Sequence, residues 1–235
     1  MEFKELVKKL NIDITPLMLE KYEKYYEKLI EVNEYMNLTA ITEYEEVYIK
    51  HFYDSLSLNL AIENLNDISL CDVGAGAGFP SVPLAIARSD IKVTIIDSLN
   101  KRINFLNELI KYIEINNVEA LHYRAEDFAK EKRESFDVVT ARAVARLNML
   151  SELCLPLVKI GGIFVAMKSD NLEEIEEAKK AIEILGGKIE NIISLNLPND
   201  MGKRNIVVIR KIKATDKKYP RAFGKIKERP LWAMY

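Results

Sequence analysis

The sequence has little cysteine. Cys71 and Cys154 are the only two in 235 residues, too few for a disulfide framework or a cysteine-based metal cluster. A reducing compartment, the cytoplasm, is therefore expected. Long apolar runs are also missing. The stretch KIGGIFVAMK (159–168) is about half the ~20 residues a spanning helix needs. The opening MEFKELVKKLNIDI carries acids and no apolar block, so no signal peptide is expected. There are no repeats and no low-complexity tracts. The formal net charge of −2 lacks the overall excess of a basic nucleic-acid binder.

The charge that is present is unevenly placed. Residues 201–235 hold eleven Lys/Arg against Asp216 and Glu228, whereas residues 1–50 hold eleven Asp/Glu against seven Lys. Such asymmetry is consistent with a polyanion partner and equally with a solvated basic tail. With 49% hydrophobic and 30% charged residues, the chain has material for one compact domain. Three segments are expected within it: a helical segment over 1–64 packed on the core, a core over 65–213, and a basic tail over 214–235.

Periodicity supports that division. Residues 15–36 carry helical spacing, with Thr15 as N-cap and Pro16 at the first helical position. Residues 43–62 read as one or two further helices. From Ile68 the pattern alternates: short apolar strands at 68–74, 92–97, 118–124, 136–142 and 162–168, separated by helices at 80–89, 100–115 and 146–158. A charged helix at 171–186 and two strands at 188–197 and 204–212 close the core. Strand–helix alternation with short links predicts an α/β fold with a mostly parallel sheet. The short link between the last two strands predicts an antiparallel edge.

The stretch CDVGAGAGFP (71–80) ends the first strand in glycines, the usual nucleotide contact of such a sheet. A dinucleotide fingerprint needs a third glycine where Phe79 stands, and no Gly-Lys-Ser/Thr follows for a phosphate loop. An acid followed by glycines at alternate positions, Asp72 with Gly74, Gly76 and Gly78, instead fits S-adenosylmethionine in a class I methyltransferase. Small residues there allow close backbone approach. Asp72 either faces the ligand's ammonium group or holds the turn. Asp97 closes the second strand where ribose hydroxyls are gripped. Ala125 and Glu126 follow the third, where adenine would lie. Asp127 reads more readily as a helix cap.

The methyl acceptor should lie beyond the fourth strand. No Asn/Asp-Pro-Pro-aromatic motif stands there, and neither cysteine is placed as a nucleophile; both read as core residues. Arg142 and Lys168 end neighbouring strands on the same rim and suit an anionic substrate, unless one of them simply pairs with Glu126 or Asp97.

Several stretches together, NLTAI, HFYDSL, DVGAGAGFPSVPLAI, DSLNKRINFL, RAEDF, FDVVTARAVA and KRNIVVI, resemble the glucose-inhibited division protein B family. The resemblance runs from about residue 37 to 212. It implies a Rossmann-like methyltransferase that modifies nitrogen seven of one guanine in 16S ribosomal RNA. It places the cofactor against Gly74 and Phe79, with Ala125 and Glu126 at the adenine and Arg142 at the mouth. With Gly76, Gly78 and Asp97 these complete the expected cofactor site. His51 and Asp54 fall in the family's His-x-x-Asp-Ser-Leu segment, three apart on one helix face. They join Arg142, Lys168, Arg204 and Arg221 as candidate substrate contacts. The expected partner is 16S RNA or an assembling small subunit, bound by a monomer without metal or membrane. The tail departs from the family: YPRAFGKIKERPL (219–231) lacks two of its prolines and its threonine.

Two other readings stay open. One is a class I methyltransferase acting on a small molecule or a protein. The other is an RNA assembly module that keeps the cofactor fold without transfer. Nitrogen seven of guanine has a lone pair and no proton, so no residue is expected to act as acid or base. It lies in the deep, narrow major groove of paired RNA, so an unpaired or splayed target base is expected.

Overall fold

The computed structural model describes residues 2–142, 145–170 and 172–231. The N-terminal segment is helical. Helix α1 (Phe3–Val7) leads to α2 (Pro16–Met36), where Thr15 caps as expected: its hydroxyl accepts from the Met18 N–H at 3.3 Å. A continuous helical stretch of mixed winding follows. It runs through α3 (Tyr44–Glu46), a π-helical segment (Val47–Tyr53), α4 (Asp54–Leu56) and a 3₁₀ segment (Ser57–Ala61). The Asp54 N–H reaches back to the Ile49 carbonyl, the wide turn of a π-bulge, a feature that recurs at functional sites.

The core alternates as the pattern predicts. In chain order it comprises β1 (Ser69–Val73), α5 (Ser81–Ala87), β2 (Lys92–Asp97), α6 (Asn100–Tyr112), β3 (Val118–His122), α7 (Ala125–Glu131) and β4 (Phe136–Arg142). Then come α8 (Leu147–Cys154), β5 (Val158–Ser169), α9 (Leu172–Ile184), β6 (Gly187–Asn196), β7 (Lys203–Lys211) and, in the tail, α10 (Phe223–Glu228). The strands form one sheet in the order β3-β2-β1-β4-β5-β7-β6. The first five are parallel. β7 pairs antiparallel with both β5 and β6, so it lies inside the sheet and β6 takes the edge.

Alternate residues of each strand feed two cores. Leu70, Val93, Ile95, Val138 and Val165 pack under α2, α5 and α6. Val73, Val139, Phe164, Val207 and Ile209 pack under α7, α8, α9 and the tail. Cys71 and Cys154 are free and fully buried in the second core, as core residues would be, and burial pushes both thiols well up. The topology gathers several strand ends at one rim. The parallel strands end there, and β7, running the other way, starts there. Arg142 pairs with Met167, and Ser169 with Arg204. Residues 62 positions apart are thereby brought to one edge.

Candidate functional site

The glycine turn after β1 is braced from outside the sheet. Gly74, Gly76 and Gly78 all have positive φ, a backbone state that glycine adopts without steric cost. From α2, the Tyr25 hydroxyl donates to the Ala77 carbonyl at 2.6 Å and the Tyr22 hydroxyl to the Pro83 carbonyl at 2.7 Å. A Cβ on Gly78 would lie 2.7 Å from the Tyr25 hydroxyl and 2.8 Å from Val82, so this glycine lets helix and turn meet. A Cβ on Gly76 would meet nothing within 4 Å. The turn therefore has one face packed and one face open.

Beside the turn lies a cavity of about 350 Å³ at the carboxyl ends of β1, β2 and β3, lined by Gly74, Asp97, Ala125, Glu126 and Phe223 among others. Asp97 organises it. Its buried carboxylate accepts from the Leu99 N–H at 2.9 Å, from the Gly76 N–H at 3.3 Å and from Arg102 at 3.3 Å. Glu126 is buried in the first turn of α7, 3.9 Å from Arg124. Asp72 lies beneath the turn, fully buried. One of its oxygens accepts from the Ser81 N–H at 3.2 Å, and the other has no partner among the described residues. Burial pushes its carboxyl up to about 7.

A second cavity, of about 310 Å³, opens between the π-helical segment and the ends of β4, β5 and β7. Arg142 enters it and donates to Asp54 Oδ2 at 2.9 Å and to the Lys50 carbonyl at 3.3 Å. Arg204 donates to Asp54 Oδ1 at 3.0 Å. His51 stacks on Phe79, centroids 4.4 Å apart and planes 15° from parallel. Phe79 is also stacked on Tyr25 at 5.5 Å and lies under the Arg142 guanidinium at 5.0 Å. Its buried ring thus links the turn-bracing Tyr25 to His51 and Arg142 of the second cavity. Burial and the neighbouring Arg142 cation push the His51 imidazole down to about 3.

A profile of the family described as GidB, rRNA small subunit methyltransferase G, matches residues 18–207. The chain belongs to that family. It is 52% identical over 233 residues to the ribosomal RNA small subunit methyltransferase G of Bacillus cytotoxicus, covering 98% of each chain. It is 53% identical over 233 residues to that of Bacillus licheniformis, again covering 98% of each. Among solved structures it is similar to a precorrin-6y C5,15-methyltransferase from Geobacter metallireducens, with a TM-score of 0.51, 15% identity, and 68% of this chain and 87% of that one covered. It is also similar to a 16S rRNA (adenine(1408)-N(1))-methyltransferase from Catenulisporales acidiphilia, with a TM-score of 0.54, 12% identity, and 66% and 90% covered. At these identities the structures bear on the fold, which is that of Rossmann-like methyltransferases.

Within this GidB-family chain the expected site residues separate into groups. Gly74, Asp97, Ala125 and Glu126 line the first cavity, and Gly76 is tied to it through Asp97. Gly78 and Phe79 sit on the packed side of the turn, and Phe79 is almost fully buried. His51, Asp54, Arg142, Lys168 and Arg204 line the second cavity. Lys168 pairs with Glu174 at 2.7 Å rather than with Asp97 or Glu126. Arg221 stands apart from that group. Its side chain and backbone N–H hold the fully buried Glu152 carboxylate at 2.6–2.9 Å, which fastens the tail to α8. The sequence reasoning missed Arg102, Tyr123, Arg124 and Phe223 in the first cavity. Arg102 lies in the motif DSLNKRINFL and was open to detection; Phe223 sits in the divergent tail, where no local pattern marks it.

Proposed function

We propose that this chain is an S-adenosylmethionine-dependent methyltransferase of 16S ribosomal RNA that modifies nitrogen seven of a guanine. The observation carrying the cofactor assignment is the half-open glycine turn beside Asp97: a rigid backbone surface with room above Gly76 and a buried carboxylate at the strand end. Asp97 would hold the ribose hydroxyls. Ala125 and Glu126 would border the adenine, and Gly74 and Gly76 would give backbone approach to the methionyl part. Phe79 acts through packing, by fixing His51 and Arg142. When bound, the cofactor supplies an electrophilic methyl group on a sulfonium centre.

The chain's own contribution is positioning. Guanine nitrogen seven carries no proton to remove, and among the described residues the rim holds no free base: His51 is neutral and engaged at both nitrogens, to Thr39 and Arg142. Asp54 is engaged by two arginines. The cationic second cavity suits the polyanion. The RNA partner is the small-subunit RNA, reached in the cytoplasm by a monomer. Among the described residues no helix is long and apolar enough to cross a membrane, and no acid, cysteine and histidine group is placed to hold a metal. Incubating the protein with labelled S-adenosylmethionine and small subunits lacking the modification tests the reading. Label in 16S RNA supports it; cofactor binding with label only in protein or small molecules overturns it.

A further inference from the structure

Asp54 has a side chain only 3% exposed, and two arginines from different strands share it: Oδ2 faces Arg142 of β4 and Oδ1 faces Arg204 of β7. Two guanidiniums this close repel unless a carboxylate lies between them. His51 completes the frame. Arg142 can only donate, so the Nδ1 that its Nη2 faces at 3.3 Å is the lone-pair nitrogen. Nε2 then carries the hydrogen and donates to the Thr39 hydroxyl at 2.8 Å. Arg142 is thus fixed by Asp54, His51, the Lys50 carbonyl and the Phe79 ring. Its Nε–H still has no acceptor among the described residues, and neither does Arg204 Nη2.

Charge selects the ligand. Lys50, Arg142, Lys168 and Arg204 face the cavity against one carboxylate, Asp54. Lys50 is paired with Glu46 and Lys168 with Glu174. Counting those partners leaves an excess of one positive charge, which one phosphodiester neutralises. Planar guanidinium forks also match phosphate oxygens.

We propose that Asp54 is the positioning residue of an RNA-phosphate subsite, holding Arg142 and Arg204 so that their remaining N–H groups grip one phosphodiester of the strand that carries the target nucleotide. This rests on the reading of the chain as a ribosomal RNA methyltransferase and adds where the RNA backbone is held. Asp54 itself touches no RNA.

The test compares wild type with Arg204→Gln, Arg204→Lys and Asp54→Asn on unmodified small subunits. It reads KM for subunits across a potassium chloride series, kcat, and the cofactor Kd by calorimetry. Arg204→Gln is expected to raise KM about tenfold and to lower the slope of log KM against log salt by about one. Its cofactor Kd should stay within about twofold of wild type. Arg204→Lys should keep the slope and recover only part of the affinity. Asp54→Asn should raise KM similarly with the slope intact, because both cations remain. Values of KM and slope near wild type in Arg204→Gln overturn the proposal, as does a cofactor Kd that rises as much as KM. If Asp54→Asn does not fold, the two Arg204 variants decide alone. Wild type that binds cofactor but labels no RNA removes the underlying reading, and the proposal with it.

Discussion

Alanine at two neighbouring glycines should break the protein in two different ways. At Gly78 the backbone has φ +104°, and an added Cβ meets the Tyr25 hydroxyl at 2.7 Å, Val82 at 2.8 Å and Leu106 at 3.0 Å. Tyr25 cannot give way: it is fully buried, and its hydroxyl bonds the Ala77 carbonyl at 2.6 Å. Strain at a disfavoured backbone conformation costs about 1–3 kcal/mol, and overpacking costs a further ~1–3 kcal/mol. A total of about 4 kcal/mol lowers Tm by about 8–16 °C in a chain of this size. At Gly76, with φ +61° and open space, only backbone strain of about 1–2 kcal/mol applies, a fall of about 2–8 °C. Its methyl group would stand on the open face beside Asp97, so cofactor Kd should rise about tenfold or more, ~1.4 kcal/mol. Thermal melts with and without S-adenosylmethionine, and calorimetric titration of both variants, read these effects. A Gly78→Ala melt within about 2 °C of wild type refutes the packing argument. A Gly76→Ala protein that binds cofactor like wild type refutes the placement.

Other outcomes follow from the same contacts. Tyr25→Phe leaves the buried Ala77 carbonyl without its donor, at a cost of about 1–3 kcal/mol, and should weaken cofactor binding; unchanged Tm and Kd together would show the brace to be idle. Arg221→Ala leaves Glu152 buried with only the backbone N–H of residue 221, so a loss of about 3 kcal/mol or more is expected in urea unfolding. A normal unfolding midpoint combined with a raised KM for subunits would instead make Arg221 an RNA contact. Asp72 moves from the ordinary 3.8 to about 7. Between those values the folded state holds a proton that the unfolded state has lost, so this group's contribution to stability fades as pH rises and is gone above about 7. Asp72→Asn should therefore flatten the stability–pH curve between about pH 4 and 7; an unaltered slope contradicts the burial argument.

Much of the frame is legible in the residues because its signals are local. Alternating apolar strands, the glycines after β1 and Asp97 at the end of β2 are each marked by the few residues immediately around them. The Thr15–Pro16 helix start is equally local, and it appears as read. The sheet's edge was predicted antiparallel, and the structure adds that β7 is inserted between β5 and β6. What escapes the sequence is long-range. RAEDF suggests only a cap at Asp127, whereas α7 begins at Ala125 and holds Asp127 within its first turn. Helix α10 hides in a tail whose fastening is a buried carboxylate 69 positions away. The bracing of the turn by Tyr22 and Tyr25 crosses 52–61 positions. Most of all, the Asp54 bridge joins residues 88 and 150 positions distant. Sequence spacing could place His51 and Asp54 on one helix face. Only the antiparallel entry of β7 brings Arg204 to meet them.

The most direct measurement is the identity of the labelled nucleoside. Small subunits and naked 16S RNA, both lacking the modification, are incubated with labelled S-adenosylmethionine, digested and resolved by mass spectrometry. The account predicts label in 7-methylguanosine alone, lost in Arg142→Ala with its fold intact. Label in any other nucleoside, or full transfer by Arg142→Ala, would contradict it.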